Sequence, residues 1–262
     1  MPAALYELID DTGPGSPWLV MVHGISQNRR AFSAQLPEFR KTHRLLLIDL
    51  PGHGLSSAVP GPFGVEAYAA SIAGAMDEAG ILHAAFWGTH LGAAAGLLLA
   101  CRESERFTAL ILEGPVFPGR PMPGVAQILA RVADTARQEG MPAARKLWWN
   151  ESGWFAVMRD RPVECRAAEQ RAIIDEFEGA PWLDTGLIGP ITPPDDDLRQ
   201  FRKPVLIMNG EYDLPDFLQS ADEISALLSD CRRVTVAEGG GFPFWEFPDA
   251  VNAEVRAFLA TL

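Results

Sequence analysis

The chain has 262 residues, enough for one large core or for one domain carrying a sizeable insertion. It is 48% hydrophobic and 21% charged, an ordinary globular composition. Its formal net charge of −12 makes nucleic acid and anionic membrane surfaces poor partners. Cys101, Cys165 and Cys231 lie far apart, in no metal-ligand spacing, and fit reduced thiols in a reducing compartment. The segment "MPAALYELIDD" has no basic region followed by an apolar run. No stretch reaches the roughly 20 uninterrupted apolar residues of a membrane span. The expectation is a cytoplasmic protein.

Strand-like and helix-like patterns alternate along the chain. "LYELID" reads as a short strand, and "TGPGSP" turns into "WLVMVHG", a buried strand. "RLLLID" (44–49) is a further apolar run, ended by "LPGHG". A helical pattern from about Val65 to Gly80 places Tyr68, Ile72, Ala75, Met76 and Ala79 on one face. "AAFWG" follows as a strand, then the turn Gly88-Thr89-His90-Leu91-Gly92, then a helix rich in Ala, Leu and Gly to about Arg102. "FTALILEG" (107–114) is the next buried strand. Short apolar runs interleaved with helices indicate an α/β fold, with a mainly parallel sheet of about seven or eight strands covered on both faces.

The rhythm breaks between about Pro115 and Phe201, entered by "GPVFPGRPMPGV" and left by "GPITPPDDD". The stretch between them is helix-like, aromatic-heavy and free of a clear buried strand. It reads as a helical insertion, 115–201, packed over one edge of a core formed by 1–114 and 202–262. The alternation then resumes with "KPVLIMNGEYD" as a strand, 217–229 as a helix, "RRVTVAE" as a strand and 248–261 as an amphipathic helix.

Five segments in order resemble the α/β-hydrolase superfamily, over essentially the whole chain. "VHGISQ" is similar to the family's oxyanion loop after its third strand, and "IDLPGHGLSS" to the turn after its fourth. "GTHLG" matches the nucleophile elbow in everything except its apex. "VLIMNGEYD" resembles the strand ending in the family's acid, here Asp213, and "GGGFPFWEFPDAV" the segment that begins with the catalytic histidine. The inserted region resembles the family's lid.

The departures carry more information than the matches. The serine position is His90 and the histidine position is Gly241, which has no side chain. A Ser-His-acid triad needs a hydroxyl and an imidazole to activate it. Losing both removes the ordinary serine mechanism, since the nucleophile alone is worth about 10⁶ in turnover. The elbow itself reads as intact, with Gly88, Gly92, Ala93, Ala94, Ala95 and Gly96 allowing close strand–helix approach. The resemblance implies an oxyanion hole from the backbone N–H groups of Ile25 and Leu91.

His90 is either a filler of a dead pocket, or a relocated acid/base or direct nucleophile. An expensive, strained apex favours the second reading. Glu113 is either a strand-end carboxylate or the acid that pairs with His90; Asp213 is either a loop cap or that acid. Burial and a helix N-terminus push the His90 pKa down, whereas a nearby carboxylate opposes both. The expectation is a neutral ring at pH 7, with one nitrogen bonded to an acid or a water and the other facing the pocket.

His23 and His53 are expected to hold loop backbones through ring hydrogen bonds, and His43 and His83 to be surface or core residues. A metal site from His90, Glu113 and Asp213 is disfavoured because no pair has suitable local spacing, and no cofactor is expected. Ser26 offers a hydroxyl near the site or shapes its turn. The run Asp195-Asp196-Asp197 reads as a solvated linker. Trp148, Trp149, Trp154 and Trp182, with Phe155, form a core within the insertion or a wall for an apolar or aromatic ligand. Phe242, Phe244 and Trp245 add an apolar wall beside Gly241. Three functions remain open: a hydrolase with a reassigned centre, acting on an ester, a lactone or a bond next to a carbonyl; a lyase or isomerase; and a ligand-binding protein without activity. The expected partner is a small molecule, with a homodimer left open.

Overall fold

A computed structural model describes residues 4–184 and 191–262. Gly189 and Pro190, at the start of the return segment, lie outside the described residues. Seven strands form one sheet in the order β1-β3-β2-β4-β5-β6-β7. They are β1 (Tyr6–Ile9), β2 (Trp18–Val22), β3 (Arg44–Ile48), β4 (Ala84–Thr89), β5 (Phe107–Glu113), β6 (Val205–Gly210) and β7 (Cys231–Val236). Only β1 runs antiparallel, against β3 at one edge; the remaining pairs are parallel. The segments "VHGISQ" and "LPGHG" therefore follow the second and third strands of this chain.

The central strands read as continuous apolar runs because both of their faces are covered. Leu19, Met21, Trp87, Ile111 and Met208 share one core with Val251, Val255 and Phe258 of the closing helix (Pro248–Leu259). The alternating residues Val20, Val22, Phe86, Leu110 and Ile207 face a second core. There they meet Tyr68 and Ile72 of the helix Val65–Glu78, Leu97 of Leu91–Arg102 and Ile224 of Pro215–Leu227. This period of two, applied to both sheet faces, accounts for the whole three-layer arrangement.

Between β5 and β6 the chain forms helices at Pro123–Glu139, Met141–Glu151 and Ala167–Glu176, with shorter pieces among them. The acidic run is solvated, and within the linker Asp195, Asp196 and Asp197 form the first turn of a short helix, Asp195–Gln200. Three carboxylates suit that end, where unpaired N–H groups give a partial positive charge.

The junction of β4 with the helix Leu91–Arg102 is tightly packed. A Cβ at Gly92 would lie 2.5 Å from the carbonyl oxygens of both Val22 and His23, which are backbone and cannot swing aside. Gly92→Ala should therefore destabilise the fold by about 1–3 kcal/mol, the usual cost of overpacking. Chemical denaturation should show it as a lower midpoint with an unchanged slope.

Candidate active site

His90 occupies the apex between β4 and the following helix, with φ 48° and ψ −110°. A non-glycine residue with positive φ is strained, and here two backbone bonds hold it. The His90 N–H donates to the Glu113 carbonyl at 2.9 Å, and the His90 carbonyl accepts from Ala94 N–H at 2.9 Å. The strained turn therefore persists with imidazole in place of a hydroxyl.

The ring lies among aromatic side chains. Phe217 and Phe242 approach at centroid distances of 4.8 and 4.7 Å, and Trp154 lies edge-on at 6.3 Å. His90 is only 4% exposed, and its buried ring nitrogens have no side-chain hydrogen-bond partner among the described residues. Burial pushes its pKa down to about 3, and interaction with the Gly241 backbone opposes this. Burial favours the neutral ring, and no carboxylate among the described residues pairs with it. It also packs on the Phe217 and Phe242 rings.

The candidate acids point elsewhere. The Glu113 carboxylate accepts from Phe244 N–H at 3.0 Å, and burial holds its pKa well above the usual range. Asp213 accepts from the Asn209 amide at 2.9 Å and from Leu214 N–H at 2.8 Å; burial pushes it up to about 7. Its cap on Leu214 is the loop-capping alternative read from sequence. A third acid, Glu246, went unnoticed in the sequence. It accepts from Gly240 N–H at 2.6 Å, and burial pushes it up to about 8. Its signal was present in "FPFWEFP", as a carboxylate between apolar residues. Among the described residues, no three His, Cys, Asp or Glu side chains are grouped to hold a metal ion.

No side chain fits at Gly241 with Trp154 in its present place. A Cβ there would lie 2.7 Å from Trp154 Cδ1 and 3.0 Å from the Trp154 Cα and carbonyl oxygen. The short turn Gly153–Phe155 of the insertion has taken the space a side chain at 241 would need. Histidine cannot return to this position unless that turn moves.

A cavity of about 460 Å³ opens beside His90. Ile25, Leu91, Trp148, Trp154 and Phe242 all line it, together with Phe217, Leu129 and the loop 116–123, which the sequence did not single out. Phe217 had a signal in its place just after the Asp213 turn. The Leu91 amide begins its helix and so has no intrahelical acceptor.

Three expected wall residues are not on that wall. Trp149 stacks on Phe155 at 4.9 Å, and Trp182 packs between Phe177 and Trp148. Ser26, at φ 62°, accepts the Trp148 indole N–H at 2.8 Å and is 1% exposed. Its hydroxyl ties the insertion to the loop after β2. His53 receives Ser26 N–H at 3.3 Å and donates to the Pro51 carbonyl, while His23 receives Leu50 N–H at 3.1 Å and donates to the Gly24 carbonyl. Both rings are buried, neutral and hold loops. His83 is exposed and His43 half-buried.

This architecture and elbow define an α/β-hydrolase, and the chain belongs to that family: the alpha/beta hydrolase fold profile matches residues 17–248. It is 29% identical over 259 residues to the 2-succinyl-6-hydroxy-2,4-cyclohexadiene-1-carboxylate synthase of Enterobacter sp. (strain 638), covering 94% of this chain and 93% of that protein. It is 30% identical over 271 residues to the pimeloyl-[acyl-carrier protein] methyl ester esterase of Stenotrophomonas maltophilia (strain K279a), covering 97% and 96%. The enol-lactonase from Burkholderia xenovorans LB400 shares the fold, with a TM-score of 0.85 at 22% identity over 98% of this chain and 96% of that one.

The buried acids make stability depend on pH in a defined direction. Asp213 and Glu246 have folded pKa values of about 7 and about 8, above their ordinary 3.8 and 4.5. The folded state therefore binds more protons than the unfolded one in that window, and stability falls as pH rises through it. His90, His23 and His53 are lowered, so their opposing effect is confined to pH below about 6.5. The thermal midpoint should fall between pH 6.5 and 8. Glu246→Gln, which keeps an acceptor for Gly240, should flatten that slope.

Proposed function

We propose that the cavity holds a small, largely apolar carbonyl compound. Its oxygen would face the Ile25 and Leu91 amides, and His90 would move a proton at the carbon beside that carbonyl. The observation that carries this reading is His90 itself. It sits at a strained apex on the cavity wall, with buried ring nitrogens that no side chain among the described residues pairs. Positive φ costs about 1–3 kcal/mol and an unpaired buried polar group about as much. A ring that pays both penalties beside two amide-bearing residues is arranged for a ligand.

The chemistry follows from what the site lacks. No hydroxyl stands at the apex and no second imidazole activates one, so a seryl acyl-enzyme has no route there. The reaction that fits is lyase or isomerase chemistry through an enolate. The proton leaves the carbon for a ring nitrogen as negative charge grows on the oxygen. The resulting imidazolium and enolate stabilise each other in a site of low dielectric. This offsets the weak basicity of His90 in the empty cavity, and it requires a small rotation of the ring toward the ligand.

One observation favours a second reading, a binding protein without turnover: no carboxylate orients the ring. Neutral His90 would then only donate a hydrogen bond to the bound carbonyl oxygen.

Deuterium exchange separates the two. With 2-decanone in D₂O, the protein should speed exchange at the carbons flanking the carbonyl. His90→Ala should remove at least ~10²-fold of that rate, the usual share of a positioned acid/base group. Tight binding with no exchange would establish the binding reading. Under either, short-chain esters should turn over negligibly and fluorophosphonates should leave residue 90 and Ser26 unlabelled.

A further inference from the structure

The cavity has a direction. At its inner end, His90, Trp154, Phe217 and Phe242 are all at most 4% exposed. At its outer end Gly119, Arg120, Pro121 and Pro123 face solvent. Among the described lining residues, Arg120 is the single permanently charged one. It stands at the mouth, bonded to Asp195 at 2.6 Å with Glu223 at 3.6 Å. Two acids already offset its charge.

We infer that this site selects its substrate by where the charge lies: the carbonyl enters first, uncharged on both sides, followed by a hydrocarbon body, with any ionised group confined to the trailing end. The inference rests on the carbonyl-binding reading above and names the substrate class for it.

The argument is one of counter-charges. A carboxylate next to the reacting carbonyl would be carried to the inner end, against Trp154, Phe217 and Phe242. Burying an ionised carboxylate without a partner is costly. The side chain available to pair with it there is His90, which would first have to take up a proton against burial that holds its pKa at about 3. The Ile25 and Leu91 amides would already serve the carbonyl oxygen. A carboxylate at the far end instead reaches the mouth, where water solvates it and screening is strong. The middle of the cavity, lined by Val116, Val125, Ala126 and Leu129, favours methylene groups, each worth about 0.8 kcal/mol on burial.

Three ketones of matched chain length test this: 2-decanone, 9-oxodecanoate with its carboxylate at the trailing end, and 2-oxodecanoate with its carboxylate beside the carbonyl. Binding at pH 8 can be followed by tryptophan fluorescence, since Trp148 and Trp154 line the cavity. The first two should bind within tenfold of each other, and 2-oxodecanoate more than tenfold more weakly than either. Binding of 2-oxodecanoate as tight as that of 2-decanone would overturn the inference. So would 9-oxodecanoate binding as weakly as 2-oxodecanoate, because the trailing end would then not lie at the mouth. If 2-oxodecanoate binds tightly and His90→Ala weakens it, the selectivity inference falls while the carbonyl site stands. If none of the three binds, both fall.

Discussion

The turn between β4 and its helix governs the rest of the site. The strand and helix approach so closely that Gly92 lies against the carbonyls of Val22 and His23. That approach forces the residue between them into a positive φ and thrusts its side chain toward the cavity. The backbone bonds of His90 to Glu113 and Ala94 lock the geometry without reference to the side chain. The sheet, not the side chain, supplies the strain. An imidazole fills the apex, reaches two phenyl rings and is paired with no acid among the described residues.

Gly241 bears on the same site. A side chain at 241 and Trp154 in its present place exclude each other. Trp154 lies with Phe217 and Phe242 around His90. Glu113, Asp213 and Glu246 are left behind this wall, each bonded to backbone N–H groups. Burial favours their protonated forms. The Trp148–Ser26 bond then ties the insertion to the loop carrying the Ile25 amide. The insertion, the aromatic wall and the loop after β2 thus pack together beside the elbow.

Much of this was legible in the residues because parallel strands buried on both faces are written as uninterrupted apolar runs. The elbow was legible from its glycines, and His23 and His53 from the loops they hold. Glu113 shows where reading stopped. Alternation along "ALILE" places Glu113 on the same face as Ala109 and Ile111, but not on the face opposite His90. Only the sheet's registry with the segment containing Phe244 settles that. The tryptophans resisted for a similar reason. Short helices with aromatic residues on several sides have no single apolar stripe, so Trp148 and Trp154 could not be separated from Trp149 and Trp182. The loop 116–123 carries no periodicity at all, and its part in the cavity depends on how the insertion folds back.

The protonation state of His90 is the point on which carbonyl binding, proton transfer and exclusion of inner-end carboxylates all converge. Nitrogen-15 NMR of histidine-labelled protein, with His90→Gln for assignment, measures it directly across pH 4 to 8. The structure predicts a ring that stays neutral throughout, with its ring-nitrogen shifts moving when 2-decanone is added. A His90 signal that titrates near pH 6.5, or one indifferent to the ketone, would contradict it.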